Sequence, residues 1–278
     1  LDVSGTGKAL NVSAVVDSPE LQLTQGERRI SVKQPALRVE TQPDGTLKAT
    51  VTANALGGAH RVTLTTPLTL SGLRKSPPTK SSLLSTPVTL DFSLADFSPL
   101  AQHAKSRNGS MTVAGTLTGT ARAPLGEVRV TMRELSLAPL RKLDGTVTLQ
   151  LESARVALAG DVSVEKLPAL DLDASLGAPV AKFLEPLLDE AHGVDGALAV
   201  LETTPLKLSA KVPQLDLARA WVNDAEVAPP TGQLSGTLSA TGTLEALRVN
   251  LDAAIAGAGF DKVKLENARV RLQATSTE

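Results

Sequence analysis

Cysteine and tyrosine are absent from the 278 residues, and the aromatic side chains amount to one Trp and four Phe. Without cysteine there is no disulfide framework, no thiolate-ligated metal and no thiol nucleophile, while the redox compartment stays open. Compact cores normally draw on aromatic bulk, so the apolar surface here must be built from Leu, Val and Ala. An excess of positive charge is missing too: 28 Lys and Arg stand against 29 Asp and Glu, a net charge of −1. A nucleic-acid partner would require a basic face, and an acidic membrane surface a polybasic cluster; the chain offers neither. No apolar run approaches the roughly 18 residues of a membrane-spanning helix.

What is present is alternation with a period of two. Leu47, Ala49, Val51 and Ala53 interleave with Lys48, Thr50, Thr52 and Asn54. Val88, Leu90, Phe92 and Leu94 interleave with Thr89, Asp91 and Ser93. The pattern returns at Val147–Leu151, Leu170–Leu176, Leu206–Val212 and Leu247–Ile255, and again at Val263–Leu265 and Val270–Leu272. About fifteen such strands fit the chain, separated by turn signals such as Pro43-Asp44-Gly45, Asp144-Gly145 and Gly57-Gly58. Strands apolar on one side and polar on the other belong to antiparallel sheets, and the long helical crossovers of parallel sheets are absent.

Three stretches depart from this rhythm and read as short amphipathic helices. One starts at Asp96 with Phe97, Leu100, Ala101 and Ala104; one starts at Pro179 with Val180, Phe183, Leu184, Leu187 and Leu188; one starts at Asp216 with Leu217, Ala220 and Trp221. All are too short to be stable alone and must lean on the sheet.

Reactive chemistry is not legible. His60, His103 and His192 stand at no metal-ligand spacing. Asp189, Glu190 and His192 cluster after a short helix, where a solvated helix end accounts for them. Asp171 and Asp173 share a strand face by alternation, which explains them without calcium. The pairs Arg28-Arg29 and Arg141-Lys142 read as solvated turns. No nucleophile elbow, phosphate loop or dinucleotide fingerprint occurs. The reading is of a non-enzymatic chain with no catalytic residue, no metal site and no cofactor.

A unit repeats. Gly5-Thr6-Gly7-Lys8-Ala9-Leu10-Asn11-Val12 returns as Gly242-Thr243-Leu244-Glu245-Ala246-Leu247-Arg248-Val249, and more loosely from Gly119-Thr120 to Val130. Two copies follow a short helix and a Gly-rich strand: Gly115-Thr116-Leu117-Thr118-Gly119 after the Asp96 helix, and Gly232-Gln233-Leu234-Ser235-Gly236-Thr237-Leu238 after the Asp216 helix. The Pro179 helix leads to a reduced form, Gly193 to Gly196 followed by Ala197, Leu198 and Val200. In this order of elements the chain resembles the AsmA-like and TamB-like envelope proteins of diderm bacteria, best over Asp91–Val130, Leu176–Val200 and Leu215–Ile255. The resemblance implies an elongated antiparallel sheet curled into a groove with an aliphatic interior, in a periplasmic protein anchored to the inner membrane. It implies carriage of phospholipid between inner and outer membranes in support of outer-membrane biogenesis. The partners it implies are phospholipid acyl chains, outer-membrane β-barrel assembly proteins, and the inner membrane through an N-terminal anchor outside this sequence.

The expectation is therefore an all-β chain: one elongated, curled antiparallel groove built from repeats, with a few short amphipathic helices. Its divisions are 1–94 as a β segment, 95–178 as short helix plus β repeat, 179–214 as short helix plus strands, and 215–278 as short helix plus β repeat. It is expected to be an interior piece of a larger protein. The cleanest alternation gives the candidate lipid-lining residues Val88, Leu90, Leu149, Leu172, Leu208, Val249 and Leu251. An apolar sheet face must fold over on itself or hold apolar cargo. The alternative is thus a non-transporting, repetitive structural or binding module of the envelope, dry on its apolar side.

Overall fold

A computed structural model describes residues 2–6, 9–25, 28–55, 58–69, 72, 79–95, 109–137, 140–188, 193–220, 230–260 and 263–276. Most of them are strand. In chain order the strands are β1 (Asp2–Thr6), β2 (Ala9–Asp17), β3 (Glu20–Gln25), β4 (Arg28–Thr41), β5 (Leu47–Ala55), β6 (Gly58–Thr66), β7 (Thr89–Leu94) and β8 (Ser110–Gly119). They continue as β9 (Pro124–Leu137), β10 (Leu140–Leu151), β11 (Val156–Val164), β12 (Leu167–Leu176), β13 (Leu206–Asp216), β14 (Thr231–Gly242), β15 (Arg248–Phe260) and β16 (Val263–Thr275). All sixteen belong to one antiparallel sheet that is not closed into a barrel. Each strand lies beside its sequence neighbour, except that β3 pairs only with β4, which also pairs with β2. One strand serves two partners because β4 breaks its register between Lys33 and Ala36, where Gln34 takes φ 49°. The break gives the strand a separate half for each neighbour.

By contacts the chain forms two compact units. The first holds Leu1–Pro99 with Thr112–Val128, the second Leu100–Met111 with Arg129–Glu278.

The repeated Gly-Thr-x-x-Ala has one structural meaning in both units. Gly119 ends β8 with φ +95°, and Gly242 ends β14 with φ +121°. The Ala123 N–H donates to the Thr120 carbonyl at 3.1 Å, and Ala246 does the same to Thr243 at 3.1 Å. In each turn the threonine hydroxyl also accepts that N–H, at 3.1 and 3.3 Å. A Cβ on either glycine would run into the carbonyl oxygen of the alanine four residues on. Only glycine takes this left-handed backbone and this close approach without strain. The motif is a hairpin turn.

Helices interrupt the hairpins. They are α1 (Lys80–Ser85), α2 (Val180–Leu188), α3 (Gly193–Thr203) and α4 (Leu217–Ala220). The helices expected from Pro179 and Asp216 correspond to α2 and α4; residues 96–108, with the helix expected at Asp96, lie outside the described residues, as does Trp221. Three sequence readings need correction. The reduced repeat at Gly193–Val200 is not a strand but helix α3: Ala197, Ala199 and Leu201 are strong helix formers, and Asp195 sits in the first turn. Asp144-Gly145 is no turn; both residues lie inside β10, where a Cβ on Gly145 would meet the Asp161 carbonyl of β11. Arg141-Lys142 also lies inside β10.

Candidate functional site: the aliphatic face

Residues directly opposite each other in neighbouring strands point to the same face, so the registers trace the face row by row. In the second unit one row runs Leu149–Leu158–Ala174–Leu208–Ala240–Val249–Ala274, from β10 to β16. The next runs Val147–Gly160–Leu172–Ala210–Leu238–Leu251–Leu272. Five candidate residues therefore fall into two adjacent rows: Leu149, Leu208 and Val249 in the first, Leu172 and Leu251 in the second. Large and small side chains are mixed in these rows, with Ala174, Ala210, Ala240, Ala274 and Gly160 set among Leu and Val. The reverse face carries Thr148–Ala159–Asp173–Ser209–Ser239–Asn250–Gln273.

The first unit repeats the design. One row is Ala14–Val39–Ala49–Leu64–Leu90–Leu117, and the next is Val16–Leu37–Val51–Val62–Phe92–Gly115. Leu90 is the sixth candidate to fall in a row. Val88 stands one residue before β7, its N–H donating to the Gly119 carbonyl at 2.6 Å, on Leu90's side by alternation. Phe92 lies over Gly115, where a Cβ would come within 2.9 Å of the ring.

None of these four apolar rows holds a charged residue. His60 shares the face in the first unit, opposite Ala53 and Leu94. Its Nε2–H donates to the Ala55 carbonyl at 2.7 Å, which makes it a structural tie. Behind these rows, charge stands on the other face. There Asp252 accepts from Arg269 at 2.6 and 2.8 Å and from Arg271 at 3.3 Å. The hydrogen bonds from Arg269, and then the charges of Arg269 and Arg271, hold this carboxyl below its ordinary value. A depression of about 440 Å³ also belongs to the wetted side, with Gln214, Gln233, Ser235, Asn267 and Arg269 around Ala254 and Ala256.

Cover is unequal along the face. In the second unit α4 lies against β14, β10 and β13. Ala220 of α4, 1% exposed, packs with Leu135, Leu143, Val164 and Ala169, flanked by Met111, Met132, Val162 and Leu215. In a flat sheet β10 and β13 would stand about 14 Å apart. A four-residue helix touching both requires the sheet of this unit to curl round it. In the first unit, Val16 is 65%, Leu37 39%, Val51 45% and Leu64 36% exposed. The candidate residues of the second unit are half-buried, neither covered like the α4 cluster nor bare.

No family model, curated protein or solved structure matches this chain. Among the described residues no group of three or more His, Cys, Asp and Glu is placed to hold a metal, and no helix is long and apolar enough to cross a membrane. Asp189, Glu190 and His192 lie outside the described residues. Sequence reasoning placed the helix at Asp216 and leaned it on the sheet, but did not foresee that it reaches β10 as well as its neighbours β13 and β14. The available signal was the small Ala218 and Ala220 directly after Asp216, whose Oδ1 accepts the Ala218 N–H at 3.0 Å and starts the helical turn.

Proposed function

We propose that this aliphatic face carries acyl chains, and that the protein is a segment of a periplasmic, inner-membrane-anchored conduit moving phospholipid toward the outer membrane. The supporting observation is the set of charge-free, mostly Leu, Val and Ala rows, with Val16, Leu37, Val51 and Leu64 exposed in the first unit. These rows carry no side-chain hydrogen-bonding group, and each methylene they shelter contributes about 0.8 kcal/mol. Ten methylenes are then worth on the order of 8 kcal/mol, enough to hold a lipid without any headgroup contact. The resemblance to AsmA-like and TamB-like proteins supplies the cargo class and the compartment. The mechanism is passive: tails lie along the rows while headgroups stay at the opening. The test is mass spectrometry of organic extracts from protein purified without added lipid. Stoichiometric phospholipid, lost in Val249→Asp or Leu172→Arg while the β circular-dichroism signal persists, supports the reading; a folded, lipid-free protein ends it.

The covered cluster under α4 favours a second reading, a structural β module whose apolar side is dry. On that reading Val249→Asp unfolds the second unit, because a carboxylate would be placed in a sealed interior.

A further inference from the structure

Across β5, β6, β7 and β8, one ionisable side chain stands on the aliphatic face. His60 of β6 lies in the row Ala53–His60–Leu94–Val113, beside the row that holds Val51, Val62 and Phe92. The flanking strands β5 and β7 turn only Leu, Val, Ala and Phe to this face. Their charged residues, Lys48 and Asp91, lie on the wetted side with Arg61 of β6, and β8 carries no charge.

The imidazole is half-buried and held in place, its Nε2–H donating to the Ala55 carbonyl at 2.7 Å. A carbonyl only accepts, so Nε2 keeps its proton in both charge states and the second proton of an imidazolium goes to Nδ1. Nδ1 is shielded from solvent. Gaining that proton leaves the tie to Ala55 in place and changes the charge alone. Histidine is the side chain that changes charge in mild acid. What a cation costs on this face depends on what lies over it, since water solvates it and a hydrocarbon chain does not. Proton and acyl chain therefore oppose each other, and each weakens the other by the same factor.

We propose that His60 is an acid-triggered release for acyl chains on the first unit. Neutral, it is a passive part of the aliphatic face; charged, it expels the hydrocarbon beside it. The proposal rests on the acyl-chain reading and adds a control to it. The probe is a phosphatidylcholine with a fluorescent tail, whose headgroup keeps its charge over the range used. Binding to the full chain is titrated at pH 7.5 and pH 5.5 for the wild type, for His60→Gln, which retains an N–H donor for the Ala55 carbonyl, and for His60→Lys. Imidazole NMR signals are followed with and without the lipid, the His60 signal being the one lost in His60→Gln. Wild-type affinity should fall on the order of tenfold at the lower pH, stay level in His60→Gln, and be weak at both pH values in His60→Lys. By reciprocity, bound lipid should move the midpoint of the His60 titration down by about one pH unit. Wild-type binding that ignores pH, a response that survives in His60→Gln, or a His60 midpoint unmoved by lipid would overturn the proposal and leave the acyl-chain reading standing. No binding to the wild type at pH 7.5 would end both.

Discussion

The two units share a pattern and differ in what lies over it. Both alternate Leu, Val and Ala with polar residues, and both close a hairpin with the same Gly-Thr-x-x-Ala turn. Yet Val51 and Val164, two valines on the aliphatic side, are 45% and 4% exposed. The difference traces to α4, which folds onto β10, β13 and β14 in the second unit. Alternation therefore specifies which side of a strand is apolar, while burial is decided by elements elsewhere in the chain.

The comparison can be pressed at its extremes. Val164→Asp should be the most damaging change, since it places an unpaired carboxylate under α4. A loss of about 3–5 kcal/mol, read from urea unfolding of the second unit, is expected. Leu143→Ala in the same cluster should cost about 2–4 kcal/mol by leaving a cavity that the neighbouring strands cannot fill. Gly119→Ala and Gly242→Ala should each cost more than about 2 kcal/mol, because the clash with the alanine carbonyl adds to the left-handed penalty, and by similar amounts, because the two turns are alike. A large difference between them would show that the surrounding unit, rather than the turn, sets the cost. Val51→Asp, on the open side, should change stability by less than about 1 kcal/mol while removing bound lipid from the extracts. If it unfolds the first unit instead, that face is closed in solution and the contrast fails.

The smallest effect is electrostatic and should separate the units least. Hydrogen bonds from Arg269 depress the Asp252 carboxyl, and a hydrogen bond from the Thr46 hydroxyl does the same for Asp44. A depressed carboxyl stabilises the fold above its unfolded value, here 3.8 for both, and that contribution is lost as the pH falls through the lower folded value. Asp44 is exposed and Asp252 partly so, and solvent screens both, so the change should be slight. Thermal melts at pH 7 and pH 3 should show Asp252→Asn and Asp44→Asn each removing a small part of the acid sensitivity.

Much of the fold was legible because a period of two survives in nearly every strand, and because the repeat marks its own turns. The rows were legible for the same reason: Leu149, Leu208 and Val249 were chosen from separate strands, and the registers set them in one row. Three features were not legible, each for a local reason. Gly193–Val200 has apolar residues at both strand and helix spacing, and its alanines resolve the ambiguity toward helix. Asp144-Gly145 carries a turn signal, yet the glycine serves the close approach of β11 within a continuous strand. The cover by α4 depends on a long-range contact, which alternation does not encode.

The Gly-Thr-x-x-Ala turn has a consequence for how such a chain can change length. Val249 lies seven positions after Gly242, and both are on the aliphatic side; the aliphatic positions are even-numbered in β14 and odd-numbered in β15. A single inserted or deleted residue within the turn would invert the phase of every strand that follows, presenting Lys, Asp and Thr where Leu and Val belong. Growth by whole hairpins preserves phase. Tolerance to insertion should therefore be periodic along this chain, with one-residue changes at the turns selected against and two-residue changes far better endured.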